Sequence, residues 1–341
     1  MSMRLIEKIK NINQRTLDPI NARAYYLHSL ASEMTGQLKS RRAEYFAAYR
    51  SACLRLDNAS QATLLNILLR SYLIDNEYEL ASNLVAKTTF PESAPNSQLA
   101  RFLYYNGRIK AVQLEYTEAE NRLVQAMSKS PQTSAKGFRI QVIKLKSIVE
   151  LLTGEMPERT VFSQTDVRKA LLPYFLIAQS AHAGNLQAFE EVVEKYSHIF
   201  IADKNYSLIQ RLRHNVIKFG LRKIFLSYSR ISLSDICKKL HLDSVAETEY
   251  IVAKSIRDGV IDATINHEDQ YLQTKQLVDV YSTNEPQKVF NKRIVFCLGL
   301  HNYAVKALEY PKKEVKKINI PEKKDINPVD DLMEIMREDF D

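Results

Sequence analysis

Seven histidines, at 28, 182, 198, 214, 241, 267 and 301, and three cysteines, at 53, 237 and 297, are the residues of this 341-residue sequence that could hold a metal. Zinc sites usually announce themselves by a local ligand pair such as HxH, HExxH or CxxC. No such pair occurs here. A phosphate-cradling GxxxxGK[ST] loop and a GxSxG nucleophile turn are equally missing. His267 and Glu268 set one base beside one acid, with no third group to orient them. We expect no catalytic residue, no metal and no cofactor.

Charge is the next chemical signal. The net charge of +8 admits nucleic acid, an anionic membrane surface or an acidic protein segment as partner. It is concentrated in Asn205–Ser234, which carries six Lys/Arg and neither Asp nor Glu. Within it, "SLIQRLRHNVIKFG" places Leu208, Leu212, Val216 and Phe219 on one helical arc of about 80°. Arg211, His214 and Lys218 fall opposite, at i, i+3 and i+7. Gly220 is expected to end this helix as a left-handed cap, with "LRKIFLSYS" beginning anew. His214 is then an exposed or partner-facing member of a basic stripe.

The elements that carry these residues are helical. Glycine is scarce, at 8 residues, and residues 20–165 are helix-period segments broken by short turns. "ATLLNILLRSYLI", "DNEY" and "ELASNLVAK" read as helix, turn and helix. In Phe102–Pro131, Ala119, Leu123, Ala126 and Pro131 follow Gly107 by 12, 16, 19 and 24 residues, the spacing of a tetratricopeptide repeat. Small residues where two helices cross let the backbones approach, and the proline stops the second helix. Lys110 stands where the repeat usually has an aromatic, so an unrelated helical hairpin is the alternative. A further pair spans Arg168–Phe200 and turns at Ala183-Gly184-Asn185. Such units bury their apolar faces only by stacking, and stacked repeats usually bind other proteins.

Residues 228–275 change character. Ser232 with Asp235, and Ser244 with Glu247, have capping-box spacing at the starts of two helices. Ile261, Ala263 and Ile265 then alternate as a strand, and after the turn "HEDQ" a second strand is expected at "YLQT". Helix, helix, hairpin is the order of a winged helix. Nucleic-acid binding is disfavoured, because the reading helix carries Glu247, Glu249 and Asp258, and the wing turn carries Glu268 and Asp269. The wing is expected to face another protein instead.

Helical repeats running into a winged helix make up a PCI domain. The stretches "YSLIQRLRHNVIKFGLRKIFLSYSRISLSDICKKLHLDS", "EYIVAKSIRDGVIDATINHE" and "YSTNEPQKVFNKRIVFCLGLHNYAVKALEYP" closely resemble the family of the third non-ATPase subunit of the 26S proteasome lid. The resemblance is strongest over about residues 170–311. It implies a mainly α fold with N-terminal helical repeats over 1–98 and a PCI domain over 99–277, the winged helix occupying 227–277. A C-terminal helix over 278–311 and a tail over 312–341 complete it. Family members carry a longer N-terminal region, so a short version of the subunit is expected.

The resemblance also implies a scaffold in the cytoplasm and nucleus. Its partners would be other lid PCI subunits, a small acidic tether subunit and a bundle of C-terminal helices. Arg211, Lys218, Arg222 and Lys223 would then face an acidic segment, or are simply solvated. The tail reads as a basic linker, Lys312–Pro328, followed by Leu332, Ile335, Met336 and Phe340 on one helical stripe. So short a helix forms only if it docks, and a frayed tail is the alternative. A signalosome PCI scaffold and a winged-helix nucleic-acid binder are the competing functions. The opening "MSMRLIEKIKNIN" is too charged for a signal peptide. The longest apolar run, Leu171–Ala178, is too short to span a bilayer, and a soluble intracellular protein is expected.

Overall fold

The computed structural model describes residues 6–7, 15–131, 134–163, 167–242, 244–274 and 280–309. Two compact units divide the chain, Met1–Lys275 and Gln276–Asp341.

The first unit is a succession of helices: α1 (Asp18–Met34), α2 (Arg42–Arg55), α3 (Asn58–Ile74), α4 (Tyr78–Lys87), α5 (Asn96–Val112), α6 (Tyr116–Lys129), α7 (Lys136–Thr153), α8 (Arg159–Ser163), α9 (Arg168–Ala183), α10 (Leu186–Lys195), α11 (Ser197–Ala202) and α12 (Tyr206–Ser227). The crossing of α5 and α6 follows the small-residue spacing. A Cβ on Gly107 would stand 3.0 Å from the Leu123 side chain and 3.3 Å from the Ala119 carbonyl. Ala119, Leu123 and Ala126 are fully buried, and α6 stops two residues before Pro131. Lys110 in the aromatic position turns outward to pair with Glu115.

Two apolar cores form. One gathers α1 to α4 with Ile109 of α5, and the other runs without a break from Leu103 through the repeats to Leu272 in the winged helix. α5 therefore contributes to both.

A polar hub ties the second core together at the turn between α11 and α12. Asp203 accepts from Lys144 Nζ at 2.7 Å, Tyr174 OH at 2.8 Å and Gln141 Nε2 at 3.3 Å. Arg108 donates to the carbonyls of Asp203 and Lys204. Lys204 in turn reaches the carbonyls of Leu73 and Ile74, filling acceptors that the end of α3 leaves open. Helices α3, α5, α7 and α9 thus meet on one turn.

The winged helix comprises β1 (Arg230–Ser232), α13 (Leu233–Leu240), α14 (Val245–Arg257), β2 (Ala263–Asn266) and β3 (Tyr271–Thr274). The sheet order is β1-β3-β2, antiparallel, with Ile231 opposite Leu272 and Ile265 opposite Leu272 on the other side. Strand β1 was not anticipated: three residues are too short a run to signal a strand, and only pairing with β3 creates it. Ser232 caps α13 as its spacing predicts, its hydroxyl accepting from the Asp235 amide at 3.1 Å. Ser244 does not cap with its side chain, although it occupies the N-cap of α14.

In the second unit, α15 (Glu285–Leu308) buries none of its residues. Phe290, Ile294, Leu298, Val305 and Leu308 lie within an arc of about 80°. Val289, Phe296, Leu300 and Tyr303, also exposed, form a second apolar strip on the opposite side of the helix. The chain from 310 onward, with Leu332, Ile335, Met336 and Phe340, lies outside the described residues.

Candidate functional site

The basic run sits largely on a single helix. Gly220 does not end it: α12 continues through to Ser227, and Gly220 is buried at a crossing with Gly184. A Cβ on Gly220 would lie 2.8 Å from the Gly184 carbonyl oxygen and 2.6 Å from Leu240. The glycine serves close approach, which local sequence cannot distinguish from a cap.

Most of the run's cations are engaged within the chain. Lys218 pairs with Asp258 at 2.7 Å, and Arg213 with Glu190 at 3.3 Å. Arg211 donates to the carbonyl of Val112, the last residue of α5, at 3.3 Å. Arg230 lies over the Tyr271 ring at 3.7 Å. Arg222 and Lys223 are exposed and meet no carboxylate among the described residues. The Lys218 ammonium holds the Asp258 carboxyl below the usual carboxylate range.

His214 is the other correction. It is half-buried rather than displayed, its Nε2 buried without a partner. Burial, then the charges of Lys254 and Lys218, push its pKa below the ordinary histidine value, and Asp258 only partly opposes them. His28, hydrogen-bonded to Tyr45 at 2.9 Å, is lowered too, by burial and then by Arg41. Both rings are neutral in the native state where an unfolded chain, with a value of about 6.5, would begin to protonate. Unfolding then takes up protons, so stability is full above about pH 6.5 and falls as the pH drops below it. The thermal midpoint followed from about pH 7.5 to 5.5 is expected to decline less steeply in His214→Leu than in the parent. Equal slopes would show that His214 is not part of this linkage.

The wing is acidic at its tip. Glu268 and Asp269 are exposed, and His267 joins the wing to α14 through Glu249 at 2.7 Å. No group of three or more His, Cys, Asp or Glu poised for a metal occurs among the described residues. No described helix is long and apolar enough to cross a membrane.

These features, repeats joined to a winged helix and followed by an apolar α15, can be set beside known proteins. A family model described as PSMD3-like, N-terminal TPR repeats matches residues 1–178, more than half of the chain. The chain belongs to the PSMD3-like family. The PCI domain model matches residues 193–276 of this PSMD3-like chain, and a model of the C-terminal region of a proteasome regulatory subunit matches 279–341. Among relatives, the "Probable 26S proteasome non-ATPase regulatory subunit 3" of Anopheles stephensi is 52% identical over 316 residues, covering 93% of this chain and 63% of the relative. The protein of the same name from Daucus carota is 48% identical over 322 residues, covering 94% of this chain and 66% of its own length. That from Drosophila melanogaster is 50% identical over 313 residues, 92% of this chain and 63% of the relative. The PSMD3-like chain therefore spans a little under two thirds of these relatives' length.

The order of helical repeats, PCI domain and C-terminal helix expected from the sequence is the order that these models match. The hub at Asp203 was missed. Its partners at 108, 141, 144 and 174 lie far apart in sequence, and no motif links them.

Proposed function

We propose that this chain is a non-catalytic scaffold subunit of the lid of the 19S regulatory particle of the 26S proteasome, supporting ubiquitin-dependent protein degradation in the cytoplasm and nucleus. The observation that carries this reading is identity of about half over nine tenths of the chain to proteins named as 26S proteasome regulatory subunit 3. On this reading the PCI module is 99–277, and the core continuous from α5 into the winged helix supports treating it as one piece. Its winged helix meets neighbouring PCI subunits, and the exposed acids of the wing speak against nucleic acid as the partner.

Helix α15 supports the assembly role. A helix with exposed apolar strips on two opposite faces is stable in water only when covered, as in a bundle of helices. Leu332, Ile335, Met336 and Phe340 extend the same logic to the tail. A small acidic tether would find Arg222 and Lys223 open, whereas Lys218 is already paired and Arg211 already donates to a carbonyl.

The test is purification of the tagged chain at moderate salt, with mass spectrometry of what it retains. Lid and ATPase subunits in near-equal amounts are expected. Signalosome subunits instead would keep the fold and overturn the assignment, and nucleic acid released by salt would overturn it differently. Charged replacements at Leu332 and Met336 should leave the folded body intact and impair incorporation into the complex. Normal incorporation of that double variant would remove the tail from the docking surface.

A further inference from the structure

The two apolar strips of α15 have different borders. On a helical projection Lys292 and Arg293 stand on either side of the strip of Val289, Phe296, Leu300 and Tyr303, each within about 20° of its edge. The strip of Phe290, Ile294 and Leu298 has Asn291 and Asn302 along one side, and Arg293 lies about 60° from the other. The helix as a whole is basic: Lys288, Lys292, Arg293 and Lys306 stand against Glu285 alone.

The same unit of the chain contains a segment of opposite charge. Residues 329–341 carry Asp330, Asp331, Glu334, Glu338, Asp339 and Asp341 against Arg337 alone, together with the stripe of Leu332, Ile335, Met336 and Phe340. As a helix, thirteen residues are about 20 Å long, and the strip from Val289 to Tyr303 has the same length of about 20 Å. The 309–328 linker, with six lysines, has the charge sign of α15 and is no candidate to cover it.

We propose that residues 329–341 fold back onto α15 as an antiparallel helix, seating Leu332, Ile335, Met336 and Phe340 on the strip of Val289, Phe296, Leu300 and Tyr303. Run antiparallel, the segment brings Asp330 and Asp331 toward Lys306, and Glu338, Asp339 and Asp341 toward Lys288, Lys292 and Arg293. The two helix dipoles then oppose each other as well. Twenty linker residues have a root-mean-square span of about 25 Å, ample for the return. Tethering at that distance gives an effective concentration on the order of millimolar, which favours the chain's own tail over a second copy. Docking also supplies the cover without which so short a helix does not persist in water.

The hairpin would present the strip of Phe290, Ile294 and Leu298 as its one remaining apolar face. That this face is the one that enters the bundle rests on the scaffold reading. The hairpin itself is tested in the isolated full chain, so either can fail without the other.

The chain has no Trp, so Phe340→Trp places a single indole on the stripe. Its emission in the full chain is expected to be blue-shifted from that of a peptide of residues 329–341 carrying the same Trp, and to be unchanged by dilution. Adding Phe296→Asp should return it to the peptide's position, while Ile294→Asp should leave it blue-shifted. Reversing both flanking charges, Lys292→Glu with Arg293→Glu, should move it part of the way. Emission equal to the free peptide's in the parent would overturn the proposal. So would release by both strip variants alike, which would mean that α15 had melted, or by neither, which would put the tail elsewhere. A red shift on dilution would assign the strip to a second copy and overturn it too.

Discussion

Replacing Asp203 with alanine is expected to lower the stability of the core that holds α7 and α9 by about 3–5 kcal/mol, the cost of leaving a buried charge without its partner. Lys144 and Asp203 have side chains only 9% and 11% exposed, so water cannot take over the ammonium. The same substitution orphans the hydroxyl of Tyr174, which also accepts from Asn205. Chemical denaturation followed by fluorescence of the tyrosine-rich core reads the loss. The companion variant, Lys144→Met with Asp203→Leu, should recover most of it, because exchanging a buried pair for apolar residues of similar size is often nearly neutral. If the single variant shifts the transition by less than about 0.5 kcal/mol, the hub does not hold the turn. A double variant as unstable as the single one would mean that lost packing, not the stranded charge, sets the cost.

Gly184→Ala is the second large effect. Gly184 closes α9 with φ +70°, its amide donating to the carbonyls of Ser180 and Ala181. The left-handed conformation alone costs an alanine about 1–2 kcal/mol. A methyl group there would also run into the backbone of Gly220 on α12. Overpacking of this kind adds about 1–3 kcal/mol, so a total of about 2–5 kcal/mol is expected from the two together. Gly36 provides the control, since it has the same φ of +70° but open space around its Cα. Gly36→Ala should lose only the conformational part, and equal melting losses in both variants would exclude the helix crossing as a cause. Because α13 packs at the same point through Leu240, forcing α9 and α12 apart also disturbs the seating of the winged helix.

Much of this molecule is legible residue by residue. Gly107, Ala119, Leu123 and Ala126 announce the α5–α6 crossing, because a small residue at a fixed helical spacing has few other uses. Ser232 announces the start of α13, because a hydroxyl three residues before a free amide caps it wherever the rest of the chain lies. These are local rules, with cause and effect within a turn or two of helix. The contiguous wording of residues 206–311 carried the family in the same way.

The misreadings share the opposite property. Gly220 looks like a helix end, and only the approach of Gly184, 36 positions earlier, makes it a crossing point. His214 belongs to a basic stripe on its own helix, but burial and the nearby charge of Lys254 on α14 leave it neutral. Strand β1 exists because β3 pairs with it. The sequence by itself determined the helical repeats, the winged-helix order and the family, since periodicity, caps and wording act over short range. Tertiary structure alone decided which cations are spent and which are open, and what Asp203 holds together, because charge pairing and burial depend on residues that folding brings from far along the chain.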